Sequence, residues 1–185
     1  LAFSAAIPTA SLASGNDSIP MNKEILEMLI NLKQGFKQAN KAYENKNYAE
    51  ALPLYEALSS KGLDLADFKL GQMYELGLGT QVNLQKAAKF YTSASEKKNV
   101  EAMFFLARFH LNGLGGLKKD HKRGIALWWE ASELDHAPSA YALGSTMMSL
   151  GEIDLGYNRI RLAAFLEHPE AQLELAKMIM TGDIP

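Results

Sequence analysis

Residues 86–107, KAAKFYTSASEKKNVEAMFFLA, recur 37 positions later as residues 123–144, RGIALWWEASELDHAPSAYALG. Aligned, Phe90-Tyr91 falls on Leu127-Trp128, Ala94-Ser95 on Ala131-Ser132, and Leu106-Ala107 on Leu143-Gly144. Self-similarity at this period marks stacked units, each too small to bury its apolar face without a neighbour. No sustained alternation of period two occurs, so no sheet is expected. The fold predicted is an all-α superhelix, a right-handed solenoid of stacked antiparallel helix pairs.

Start and stop signals divide the chain into those pairs. A helix over about Leu65–Leu76 ends at Gly77-Leu78-Gly79, where glycine can take the left-handed conformation that closes a helix. Asn83 caps the next, which runs to about Lys97. The pattern repeats with a helix from about Val100 to Asn112, the turn Gly113-Leu114-Gly115-Gly116, and an Asp120 cap on a helix through Leu134. Pro138 opens a helix to Leu150, Gly151 breaks it, and a weaker helix covers about Leu155–Glu167. Pro169 begins a last helix ending near Thr181-Gly182. Upstream, Asp17 or Ser18 caps a helix with Pro20 in its first turn. Ile25, Leu29, Leu32, Phe36, Ala39 and Tyr43 form its apolar seam, and Gly35 is read as a break within it. Ala66, Ala102, Ser139 and Ala171 each stand four residues before a leucine, and Gly71, Ala107, Gly144 and Ala176 stand just after one. These small residues are notches for close helix approach, with Phe90, Tyr91, Trp128 and Trp129 filling the space between pairs.

These residues resemble the Sel1-like repeat, a relative of the tetratricopeptide repeat. The second unit carries Ala66, Leu70, Gly71, Tyr74, Gly77 and Gly79, then Asn83, Lys86, Ala87, Phe90, Tyr91 and Ala94. The third has His110 at the tyrosine position and keeps Gly113, Gly115, Asp120, Trp128, Ala131 and His136-Ala137. The fourth keeps Leu143, Gly144, Ala163, Ala164 and His168 but lacks the Gly-x-Gly turn. The first, with Ala42-Tyr43, Tyr48, Ala51 and Tyr55, is closer to the tetratricopeptide form. The expected organisation is a leader over 1–17, an N-terminal helix over 18–35, and an array over 36–182. Its units span about 36–62, 63–98, 99–135, 136–167 and an incomplete 168–182. The last unit lacks its second helix, so the array reads as a fragment, or Glu170–Met180 serves as its cap.

The composition narrows function. The apolar fraction is 48%, the charged fraction 22% and the net charge −2, which fits a folded chain without the basic field that nucleic acid requires. The absence of cysteine excludes disulfides, thiolate metal sites and cysteine nucleophiles. Leu1–Ser14 is uncharged and rich in small residues. Ser11-Leu12-Ala13 suits signal-peptidase cleavage, so the leader reads as the tail of a secretory signal, or otherwise as a flexible segment. No apolar run is long enough to predict a transmembrane helix. His110, His121, His136 and His168 show no metal-ligand spacing. Glu130, Glu133 and Asp135 form no isolated acid/base pair, and Lys118, Lys119, Lys122 and Arg123 read as a solvated basic corner. No catalytic, cofactor or metal site is expected.

The resemblance implies a non-catalytic scaffold for protein–protein interaction, many bacterial members acting in the cell envelope. A periplasmic or secreted location follows from the leader, with the cytoplasm as the alternative. By analogy with the tetratricopeptide register, three positions per first helix face a concave groove: Phe68, Gln72 and Glu75; Phe104, Arg108 and Leu111; Tyr141, Ser145 and Met148; Leu173, Lys177 and Met180. Such a surface suits a protein or peptide with apolar anchors. The aromatics among them are equally read as core. The rival functions are an accessory repeat domain of a cell-wall or polysaccharide-processing or export system, and a cytosolic regulatory adaptor. The oligomeric state is left open.

Overall fold

The computed structural model describes residues 23–183, and over them the chain is helical throughout. The helices are α1 (Lys23–Glu44), α2 (Tyr48–Ser59), α3 (Asp64–Leu76), α4 (Leu84–Glu96), α5 (Val100–Asn112), α6 (His121–Glu133), α7 (Ala137–Ser149), α8 (Ile153–Phe165) and α9 (Pro169–Thr181). Consecutive helices pack on each other and form a one-dimensional stack. The leader and the proposed caps Asp17, Ser18 and Pro20 lie outside the described residues. No described helix is long and apolar enough to cross a membrane.

The boundaries follow from local chemistry. Asn83, Asn99 and Asp120 each accept a hydrogen bond from a backbone N–H three residues on, at 2.9 Å, satisfying a donor that the helix cannot. Gly77 and Gly113 close α3 and α5 at φ of 69°, the left-handed region where a side chain would be strained. Two boundaries differ from the sequence reading. Gly35 does not break α1, which runs through it; the glycine instead lets Leu58 of α2 approach. The expected border between an N-terminal helix and the array at residue 35 is therefore absent. Helix α8 begins at Ile153, two residues before the expected start.

Packing inside the pairs α3–α4, α5–α6 and α7–α8 follows one spacing. A methyl group built on Gly144 of α7 would lie 2.8 Å from Ile160 Cγ1 of α8, and one built on Gly156 of α8 would lie 2.6 Å from Met148 Cγ of α7. Each helix thus offers a small residue and, four positions later, a large one that fills the partner's notch. The same spacing joins Ala107 and Leu111 of α5 to Gly124 and Trp128 of α6, where Leu111 Cγ covers Gly124 at 2.6 Å. In α3 and α4 the words are Gly71 with Glu75 and Ala87 with Tyr91. Tyr91 covers Gly71 and donates a 2.7 Å hydrogen bond to Glu75. The sequence-expected notches Ala66, Ala102, Ser139 and Ala171 are all fully buried. Trp129 departs from its expected role. It is 37% exposed and carries the Arg159 guanidinium 4.1 Å above its ring instead of filling the space between pairs.

One polar cluster ties three helices together. The Asp67 carboxylate of α3 is 2% exposed. It accepts hydrogen bonds from Ser93 Oγ and Lys97 Nζ, each at 2.7 Å, and from Ser59 Oγ. Asp67→Ala strands Lys97 and two hydroxyls. Lys97 is 36% exposed and can rehydrate, so the expected loss is about 2 kcal/mol, below the range for a fully buried pair. A thermal melt followed by circular dichroism checks it, and an unchanged midpoint would remove this cluster from the account of stability.

The buried apolar residues form two separate clusters. One runs from Ala39 through Tyr55, Leu70, Tyr91 and Phe109 to Leu127 and Ala131. The other lies in α7–α9 around Ala140, Ile160, Ala163, Ala164 and Ala171. Arg159 spans the join, with its guanidinium 2.6 Å from Glu133 and 3.1 Å from Ser132 Oγ.

Candidate functional site

The first helices of successive pairs, α3, α5, α7 and α9, carry the residues expected to line the groove. Phe68 does not belong to a free surface. It is 8% exposed and packs 5.7 Å from Phe105 and 6.2 Å from Tyr91, so it is core. Glu75, Leu111 and Met148 also depart from the groove assignment. They occupy the large position of the pairing rule and point at their own second helices, Glu75 toward Tyr91, Leu111 onto Gly124, and Met148 onto Gly156. A position five after the leucine falls near the second helix because 3.6 residues per turn rotate it past the inner face.

The residues that remain are Gln72, Arg108, Ser145 and Lys177, with Phe104 and Tyr141 beside them and Leu173 and Met180 on α9. Those of α3, α5 and α7 are partly exposed, and Leu173, Lys177 and Met180 of α9 are exposed. Arg108, Phe104 and Tyr141 make contacts along the stack. Arg108 of α5 forms an ion pair with Glu75 of α3 and stands 5.0 Å over the Phe105 ring. Phe104 packs 5.6 Å from the ring of His136, the residue that precedes α7. Tyr141 of α7 stacks 4.7 Å from His168, which precedes α9 and accepts the Ala171 N–H. The two histidines thus hold an inter-pair position, the structural role that their spacing suggests. Neither joins a metal-binding cluster, and no such cluster occurs among the described residues.

The electrostatics of the strip follow from burial. Burial, and then the Glu75 carboxylate that accepts its proton, push the Tyr91 phenol far above its ordinary value, so it remains a donor. Burial raises the Tyr141 hydroxyl as well, with Glu174 of α9 adding to the effect. Burial also holds the His136 ring below the ordinary 6.5; Glu101 opposes this and His168 adds to it. His110 is lowered for the same first reason, with Arg123 adding to the effect and Asp120 opposing it. The sign is then fixed. The folded state favours neutral rings and the unfolded chain binds protons more readily. Stability is full above the unfolded histidine pKa and falls as pH drops below it toward the folded value. The melting midpoint is expected to decline as pH falls through the ordinary histidine value of 6.5, and His136→Gln to flatten part of that slope. An identical slope in the variant would show that His136 does not contribute.

The model of the Sel1 repeat family matches residues 64–99, 100–136 and 169–185. The chain is 35% identical over 95 residues to chitin synthase regulatory factor 1 of Schizosaccharomyces pombe, a match covering 50% of this chain and 21% of that protein. It is 28% identical over 148 residues to the exopolysaccharide production negative regulator of Rhizobium leguminosarum bv. viciae, covering 80% of this chain and 48% of the relative. The chain therefore spans between about a fifth and a half of these two relatives. Among solved structures, a protective antigen of uropathogenic Escherichia coli displaying an SLR fold superposes with a TM-score of 0.74 at 23% identity, covering 86% of this chain and 36% of that one. That likeness is one of fold. The helix pairs, the small-and-large pairing rule and the matched repeats agree: the chain is a Sel1-like repeat protein with the α-solenoid architecture of that family.

Proposed function

We propose that the chain is a non-catalytic scaffold that holds a protein or peptide partner along the strip formed by Gln72, Phe104, Arg108, Tyr141, Ser145 and Lys177. The observation that carries this is the continuity of the strip. Arg108 of α5 pairs with Glu75 of α3, Phe104 of α5 packs on His136 just before α7, and Tyr141 of α7 stacks on His168 just before α9, so rings and polar groups follow one another along the stack. Such a surface suits an extended peptide or helix with apolar anchors, oriented by Gln72, Arg108 and Lys177. The uncharged Leu1–Ser14 leader supports an exported, periplasmic setting.

A second reading makes the chain a regulatory module of polysaccharide synthesis. Two relatives from distant organisms, a chitin synthase regulatory factor and an exopolysaccharide regulator, bear names of that kind. Both readings share the same strip and differ in the partner it holds.

Photo-crosslinking in cells tests the surface and samples the partner. A benzophenone amino acid at Tyr141 or Lys177 is expected to give discrete protein adducts. The same group at the exposed Lys89 of α4 or Arg123 of α6 is expected to give none. Adducts of equal yield from all four positions would refute the strip as the binding surface. Mass spectrometry of the adducts separates a polysaccharide synthase from other envelope proteins.

A further inference from the structure

The buried Asp67 carboxylate has no counterpart in the next two pairs of the stack. Aligned on Leu70, Leu106 and Leu143, it falls on Met103 of α5 and Ala140 of α7, both buried and apolar. Two of its three donors are equally local. At the 37-residue offset, Ser93 and Lys97 fall on Glu130 and Leu134. The repeat closes without this cluster, and apolar residues in its place would stabilise the pair as well or better, so packing alone does not account for it. The cluster forms one end of an open groove of about 500 Å³ lined by α2, α3 and α4. At the other end the Tyr74 hydroxyl donates to Glu56 at 3.0 Å and accepts from Lys86 Nζ at 3.3 Å. Asp67 and Tyr74 lie two turns apart on α3, which sets the two ends about 10 Å apart. Each end thus holds a carboxylate, an ammonium and at least one hydroxyl. Between them Phe90 lines the groove, half-buried, with its ring stacked 5.6 Å from that of Tyr74. Lys89 also lines it, is exposed, and forms no ion pair among the described residues.

We propose that this groove binds an acidic disaccharide unit. A hydroxyl both donates and accepts, so a ligand rich in hydroxyls is matched by carboxylate and ammonium side by side, not by charge of one sign. Both ends of the groove supply that pairing. The apolar C–H face of a sugar ring suits the open part of Phe90. Lys86 and Lys97 offset the charges of Glu56 and Asp67, which leaves Lys89 to meet one acidic group on the ligand. The volume is that of a small-molecule site, and the polar lining disfavours an apolar ligand. The separation of the two ends exceeds a single sugar ring and fits a pair. The groove lies between second helices, apart from the strip on the first helices, and its assignment does not rest on that strip.

Amide chemical shifts of the isotope-labelled whole chain test the site. Cellobiouronic acid, a glucuronic acid joined to glucose, is expected to shift amides of α2, α3 and α4 around the groove, with a dissociation constant on the order of 1 mM for so open a site. Cellobiose, the same disaccharide without the carboxylate, should shift the same amides and bind about fivefold more weakly, the scale of one ion pair open to water. Lys89→Glu replaces an exposed side chain, so its melt should match the parent. It is expected to weaken the acid about fivefold or more and to leave cellobiose within about twofold. Lys37→Glu, the same change of charge at an exposed residue of α1, should alter neither. The proposal is overturned if cellobiose shifts no groove amide up to about 20 mM, well above the expected constant. It is also overturned if sodium acetate moves those amides as far as the acidic sugar does, or if Lys89→Glu keeps the preference for the acid.

Discussion

Gly71→Leu is expected to collapse the array. A single methyl group at residue 71 would lie 2.5 Å from Tyr91 Cε1, well inside van der Waals contact. Tyr91 cannot retreat. It is fully buried, its hydroxyl is held by Glu75, and its ring is walled by Phe68, Phe105 and Phe109. A leucine adds three further carbons, so α3 and α4 must separate. The cost exceeds about 3 kcal/mol, above the ordinary range for overpacking because the neighbour is an aromatic ring without room to rotate. For a chain of this size the midpoint falls by at least about 6 to 12 °C. Gly71→Ala is the graded control and should lose less. A thermal melt of Gly71→Leu that overlays the parent would refute the notch assignment.

Tyr91→Ala is expected to be almost as damaging, from the opposite cause. Removing a fully buried aromatic side chain leaves a cavity beside Gly71 that the stiff helix backbones cannot close, a loss of about 4 kcal/mol. It also removes a hydrogen-bond donor from Glu75, which keeps Arg108 as its remaining partner. Tyr91→Phe separates the two contributions. It retains the ring and loses only the 2.7 Å hydrogen bond, worth about 1 kcal/mol. Urea unfolding of the three proteins gives both numbers. Equal losses for Tyr91→Phe and Tyr91→Ala would place the stabilisation in the hydroxyl and not in the packing.

Much of the fold was legible because its signals are local. A capping Asn or Asp, a left-handed glycine and a small residue after leucine each act within a turn of helix, and each appears in the sequence where it acts in space. The turns between units were harder to read. Lys98, Asp135 and Glu167 take positive φ of 67°, 59° and 63°, yet none is a glycine, and nothing in their residue type announces it. They are held there by the backbone bonds of the following helix start, such as Asn99 N–H to Ala94 C=O at 3.1 Å. The continuity of α1 through Gly35 was hidden for a related reason. A glycine costs a helix only about 1 kcal/mol, and the close approach of Leu58 outweighs that.

The candidate site was less legible. A spacing rule fixes which residues share a helix face, but not which neighbour covers that face. Glu75, Leu111 and Met148 shared a row with each other, as expected, and that row met α4, α6 and α8. The small partners of Leu111 and Met148, Gly124 and Gly156, were present in the sequence four residues before Trp128 and Ile160. Reading the two helices of a pair together, and not the first helix alone, would have found them.

The two apolar clusters meet at a charged seam. Where the two apolar clusters meet, α6 and α7 still pack on each other, and Arg159 adds a charge bridge to Glu133 and a cation seated over the Trp129 ring. Dissolved ions weaken such a bridge and barely touch buried hydrocarbon. Added salt is therefore expected to loosen the Arg159 bridge while the packing of α6 on α7 stays in place.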